Sequence, residues 1–152
     1  MIPTPRRGVG DVITGVPSEF VPTVWPKVRG LVKKGIDLDR FAPDDVLRAL
    51  TEKKMQLWII GSADKLEAIV VTEINVYPRG TACGIVIVAG AQREAWMDHL
   101  ADIEAWARSQ GCQWIESHAR KGWTREPALK DWRVTAVVMH KALLAPSQQV
   151  AA

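Results

Sequence analysis

The sequence predicts one α/β domain: a mixed, mostly antiparallel sheet with helices on both faces. Three observations lead there. The chain has 152 residues, enough for one core of ordinary size and too few for two comfortable ones. Short apolar runs between 56 and 89 are separated by turn chemistry, which reads as three consecutive antiparallel strands. Strand 81–89, helix 93–110 and strand 112–118 then make a βαβ crossover, which requires two parallel neighbours.

The elements follow in order. Residues 1–19 have no helical or strand period, because Pro3, Pro5, Gly8, Gly10, Gly15 and Pro17 interrupt every short run; they read as an extended N-terminal arm. Ser18 can cap a helix starting near Phe20 and ending by Gly35, with Phe20, Val24, Val28 and Leu31 on one stripe. Pro22 suits its first turn; Pro26 removes a backbone donor and predicts a break or kink. A second helix runs from Pro43 to about Lys54, with Pro43 at the first helical position and Asp44 and Asp45 at the positive end of the dipole. Val46, Leu47 and Leu50 form its apolar face.

Gln56–Ile60, Lys65–Val76 and Thr81–Ala89 are the strands, joined by turns at 61–64 and 77–80. The helix 93–110 places Trp96, Leu100, Ile103 and Ala107 on one side, and Gly111 stops it. After strand 112–118, residues 121–131 read as an irregular helix interrupted by Pro127. Val134–Lys141 reads as the closing strand and Ala145–Ala152 as a tail. The predicted core is Val46, Leu50, Leu57, Ile59, Ile69, Val71, Ile85, Ile87, Leu100, Ile103, Ile115 and Val137.

Composition narrows the class. At 47% hydrophobic and 24% charged, the chain is too apolar for global disorder. No apolar run approaches the roughly 18 residues of a membrane span, and the Pro/Gly-rich opening is not a signal segment. Cys83 and Cys112 cannot build a disulfide framework or a four-thiolate site, which points to a reducing cytoplasm. His99, His118 and His140 have no spacing that builds a metal site. The charge is uneven: residues 1–34 hold six basic against two acidic residues, a net +4, and the remainder sums to −1. A basic N-terminal region can meet phosphates or an acidic protein surface, so nucleic acid is one expected class of partner.

The element order from 20 to 143 resembles the GNAT acyltransferase superfamily, with Ala128-Leu129-Lys130-Asp131-Trp132 and Val134–Lys141 as its closing helix, turn and strand. Thr72-Glu73-Ile74, Tyr77-Pro78-Arg79, Ile103–Ala107, Gln110-Gly111-Cys112 and Arg120-Lys121-Gly122-Trp123 resemble small GNAT-like proteins of tailed bacteriophages. The resemblance implies domain limits of 1–19 for the arm, 20–143 for the GNAT-like domain and 144–152 for the tail. It also implies a coenzyme A pyrophosphate cradle in the turn before the main helix. Gly90, Ala91 and Arg93 occupy that turn, without the family's Gly-x-Gly, and Glu94 and Asp98 bring negative charge to the first turns. The family's helix-borne acid Tyr would fall on Pro127.

Glu73, Glu116 and His118 are the candidate bases. Seven tryptophans are unusual in 152 residues; most must be core, but Trp106, Trp114 and Trp123 fall on or beside surfaces that the periods do not fully bury. The sequence-level expectation is therefore a virion-associated or structural phage protein, active in the virion and in the host cytoplasm before assembly. It would use a non-catalytic GNAT-like scaffold, no cofactor, and Arg6, Arg7, Arg120, Lys121 and Trp123 to bind other phage structural proteins. The alternatives are an acetyl-CoA-dependent N-acyltransferase and a DNA-binding accessory protein.

Overall fold

The computed structural model describes residues 12–38, 40–62, 65–90, 97–119 and 129–144. Five strands form one sheet in the order β1-β2-β3-β4-β5: β1 Val12–Val16, β2 Met55–Ser62, β3 Lys65–Tyr77, β4 Gly80–Gly90 and β5 Trp114–Ser117. The first three pairings are antiparallel, and β4 pairs with β5 in parallel. The crossover read from the sequence is therefore present, and the sheet is mixed.

Helices α1 Val21–Gly35 and α2 Pro43–Thr51 cover one face. Val21, Trp25, Val28 and Val32 of α1 and Val46 and Leu50 of α2 pack with Leu57, Ile69, Val71, Ile87 and Ala89. α2 starts where Pro43 removes a donor that has no intrahelical partner anyway. The Asp45 carboxylate accepts from Ala42 N–H at 2.8 Å, and Asp45 N–H donates back to the Ala42 carbonyl at 3.0 Å.

α3, Leu100–Ser109, covers the opposite face: Leu100, Ile103 and Ala107 are buried, and Trp106 meets Trp58 edge-on with ring centroids 5.1 Å apart. Beneath it a buried polar chain is satisfied, with Trp58 Nε1 donating to Thr72 Oγ1 at 3.0 Å and Thr72 Oγ1 to Gln56 Oε1 at 2.9 Å. At its C-terminus Gly111 takes φ +84°, and Gly111 and Cys112 N–H close on the Arg108 and Ala107 carbonyls at 3.0 Å each. Gln113 N–H then donates to the Thr81 carbonyl at 2.8 Å, so the helix stop delivers the chain to the edge of β4.

Several expectations need correction. The second half of the expected arm is β1, paired with β2 and carrying a fully buried Ile13; a five-residue edge strand is too short to show a period between Gly and Pro. α1 runs unbroken through Pro26, and both Pro22 and Pro26 lie on its exposed side, away from the packed stripe. The buried stripe of α1 keeps Val28 from the expected one but runs through Val21, Trp25 and Val32 in place of Phe20, Val24 and Leu31, and Phe20 is exposed. Ile59 and Ile115 are only half-buried.

Residues 118–152 form a second compact unit. The expected closing strand Val134–Lys141 carries no regular structure there, and Val137, placed in the predicted core, is 79% exposed. Alternating valines make a strand only where a neighbouring backbone completes the ladder, and no described sheet pairing extends past Ser117. Arg120–Ala128, with the expected irregular helix, lie outside the described residues apart from the turn at 129–131.

Leu50→Ala is expected to cost about 2–5 kcal/mol, because it empties a filled site under α2. Val137→Ala is expected to change stability by less than about 0.5 kcal/mol. Urea unfolding followed by tryptophan fluorescence measures both, and a comparable loss at Val137 would place that residue in a core.

Candidate active site

The face that carries α1 and α2 continues past them into a polar region. On β3, Glu73, Asn75 and Tyr77 follow Ile69 and Val71 on the same side of the strand. Their partners on β4 are Gly84, Ala82 and Gly80, and across β4 the partners of Gly84 and Ala82 on β5 are Glu116 and Trp114. Residues of β3 and β5 are separated by two strand spacings, about 9.5 Å, too far for ordinary cross-strand contact. Here small residues lie between them. A Cβ on Gly84 would come within 2.8 Å of Asn75 Nδ2 and 3.2 Å of Glu73 Cγ, and one on Gly80 would collide with Gln113 and stand 2.6 Å from the Trp114 ring. The flanking side chains occupy the space that β4 leaves empty.

The result is a clamp. Tyr77 stacks on Trp114 with centroids 5.7 Å apart and planes 25° apart. The Tyr77 hydroxyl donates to Glu116 Oε2 at 2.6 Å, and Trp114 Nε1 donates to Glu116 Oε1 at 2.8 Å. Both oxygens of Glu116 are thus engaged, whereas Glu73 accepts no hydrogen bond among the described residues. The hydrogen bond to Glu116 is the main cause that raises the Tyr77 pKa above 10.0, with burial and the Glu116 and Glu73 charges adding to it. On the other face, burial pushes the Cys83 thiol up to about 12, and burial also raises Cys112. Both are therefore poor nucleophiles.

The sequence suggested Glu116 and His118 as the same-face pair; the structure instead brings Glu73 and Glu116 to one face. It does not extend β5 to His118, so strand alternation does not pair that residue with Glu116. Gly90 has a packing reason: a Cβ there would lie 2.5 Å from Ala68 Cβ and 2.6 Å from the Glu67 carbonyl. Ala91, Arg93, Arg6, Arg7, Arg120, Lys121 and Trp123 lie outside the described residues. Sequence reasoning missed Tyr77 and Asn75, taking Tyr77 only as a turn residue. The signal was the alternation Glu73-x-Asn75-x-Tyr77 facing Trp114-x-Glu116. Among the described residues no group of three or more His, Cys, Asp and Glu could hold a metal, and no helix is long and apolar enough to cross a membrane.

A second feature lies toward the end of β4. β5 pairs with Ala82–Ile85 only, so from Val86 to Gly90 no described strand pairs with β4 on that side. Alternate residues there present backbone N–H and C=O groups that an extended, amide-bearing chain could complete.

No protein-family model and no curated protein matches this sequence. Solved structures do match in fold. A GNAT family acetyltransferase from Staphylococcus aureus superposes with a TM-score of 0.62 at 10% identity, over 89% of this chain and 100% of that one. An aminoglycoside N-acetyltransferase in complex with CoA gives 0.64 at 18% identity, over 93% and 100%. A predicted acetyltransferase from Clostridium acetobutylicum with acetyl-CoA gives 0.61 at 15%, over 88% and 96%. The chain has the GNAT fold.

Tyr77 is the single tyrosine, so its ionisation can be read directly from tyrosinate absorbance. The midpoint is expected above 10, and Glu116→Gln is expected to lower it toward 10. The folded state holds this proton more tightly, so its stabilising contribution is complete below about pH 10 and is lost as pH rises through the folded midpoint. A wild-type midpoint at 10 would mean the hydrogen bond is absent.

Proposed function

We propose that this chain, with its GNAT fold, is an acetyl-CoA-dependent N-acyltransferase whose base is Glu73. The observation that carries the reading is the pair of features along β4: an edge at Val86–Gly90 that no described strand pairs, beside a face bearing the Glu73 carboxylate, which accepts no hydrogen bond among the described residues. The pantetheine arm of coenzyme A is an extended chain with two amides, and an unpaired strand edge is suited to such a chain. The pyrophosphate turn of the resemblance falls at 90–96, mostly outside the described residues, so the fit rests on the strand edge.

Bound acetyl-CoA would supply a thioester, whose acetyl carbon would form a C–N bond with the acceptor amine as the C–S bond breaks; the proton that the nitrogen loses on acylation would go to the departing sulfur, so that CoA leaves as the thiol. The amine must be neutral to attack, and Glu73 takes its proton through a water. Glu116 is less suited to that task, because Tyr77 and Trp114 already donate to both of its oxygens. Its hydrogen bonds fix the wall of the site instead. The solved likenesses to enzymes crystallised with CoA and with acetyl-CoA support the same reading over a scaffold without cofactor. The scaffold reading depends on the basic arm and the 120–123 loop, outside the described residues.

Calorimetric titration with acetyl-CoA is the test. Low-micromolar dissociation is expected, and an absence of binding at millimolar ligand would overturn the acyltransferase reading. Glu73→Gln is expected to lower kcat by about 10²–10⁴-fold while leaving acetyl-CoA affinity unchanged. Unchanged turnover would remove Glu73 from the role of base.

A further inference from the structure

We infer that this face selects acceptors with two cationic nitrogens, one reacting beside Glu73 and the other seated on the Tyr77–Trp114 pair against Glu116. The inference rests on the acyltransferase reading for which nitrogen reacts, while the binding it asserts needs no cofactor. The aromatic pair is the first ground. Tyr77 and Trp114 are each 42% exposed, yet they are not loose surface side chains: they stack on one another and each donates to one oxygen of the same carboxylate. A rigid, half-exposed aromatic surface with a carboxylate at its edge attracts an organic ammonium through the ring quadrupole and through charge together. An uncharged or anionic group gains neither.

Charge complementarity is the second ground. Glu73 and Glu116 lie on one face across Gly84, and no described ion pair or hydrogen bond gives either of them a cationic partner. The two donors that Glu116 accepts from are neutral groups and bring no positive charge to the carboxylate, which leaves room for a cation nearby. The two carboxylates differ in what they can do. Glu73 has free oxygens and can exchange a proton; Glu116 cannot do so without releasing the aromatic pair. Glu116 is therefore a positioning residue, and the selectivity it supports is for charge at a fixed distance from the reacting amine. Gly84 and Ala82 put no large side chain of β4 between the two positions, and the Asn75 amide lies over Gly84 there.

The test is an NMR titration of the ¹⁵N-labelled full chain without acetyl-CoA, following the Trp114 indole N–H, which is assigned by its loss in Trp114→Phe. The probes are 1,4-diaminobutane, 4-amino-1-butanol and n-butylamine near neutral pH. The diamine is expected to bind about tenfold more tightly than either monocation and to shift the Trp114 signal. Trp114→Leu and Glu116→Gln are expected to reduce the diamine to the level of the monocations. If Trp114→Leu does not fold, Tyr77→Phe keeps the ring, removes only the hydroxyl clamp, and is expected to weaken the diamine selectively. Equal binding of the three probes, or diamine binding indifferent to these substitutions, overturns the inference. If acetyl-CoA binds while the probes are not discriminated, this inference fails alone. If the diamine is selected but acetyl-CoA does not bind, the dication site stands and the acyltransferase reading falls.

Discussion

β4 carries one residue more than β3 in the ladder they share, and Val86 is that residue. Val71 pairs with Ile87, but its neighbour Thr72 pairs with Ile85. A strand alternates sides strictly, so one extra residue exchanges the faces of everything beyond it. Past the bulge, Gly84, Ala82 and Gly80 turn to the side of α1 and α2, and Ile85 and Cys83 turn to the side of α3. Without it Ile85, Cys83 and Thr81 would stand between β3 and β5 on the polar face. Their bulk would hold Tyr77 and Trp114 apart and keep the Tyr77 hydroxyl from Glu116.

One sheet face thus does two jobs along its length. Toward one end Leu57, Ile69, Val71, Ile87 and Ala89 are sealed under two helices, and that burial holds the sheet in shape. Toward the other, the same face is polar and open, and the hydrogen bonds of Glu116 take over the task of fixing side chains. The rigid apolar end positions the backbone of β3 and β4, and the backbone positions Glu73. Catalytic groups gain from such support because their geometry is set before the substrate arrives.

The crossover was legible in the sequence because its signals are local: a long apolar stripe, Gly111 as a stop, and an apolar run after it. Glu73 and Glu116 were legible as carboxylates carried on strands, and so as candidate bases. The aromatic clamp was not, since it joins residues of β3 and β5 that meet only because the β4 residues between them are small and face the same way. Counting by twos cannot detect a bulge, so Val86 read as an ordinary strand residue. β1 was hidden by its length, although Ile13 is as buried as any core residue. Val134–Lys141 failed in the opposite sense: its alternation was clear, but alternation does not supply a partner strand. Pro26 was overweighted because it falls on the exposed side of α1, while Val21, Trp25, Val28 and Val32 hold the helix on the sheet.

Contact between the Tyr77 and Trp114 rings is the most direct sign that the bulge has turned the small residues of β4 toward this face. The chain has one tyrosine, so its ring protons give a unique set of NMR signals. A nuclear Overhauser experiment on the full chain is predicted to show cross-peaks between the Tyr77 ring and the Trp114 indole, consistent with centroids 5.7 Å apart, and to lose them in Trp114→Leu. A Tyr77 ring with cross-peaks to the Thr81 and Cys83 side chains and none to Trp114 would contradict the account, because it would put the larger β4 residues on the face that the account leaves clear.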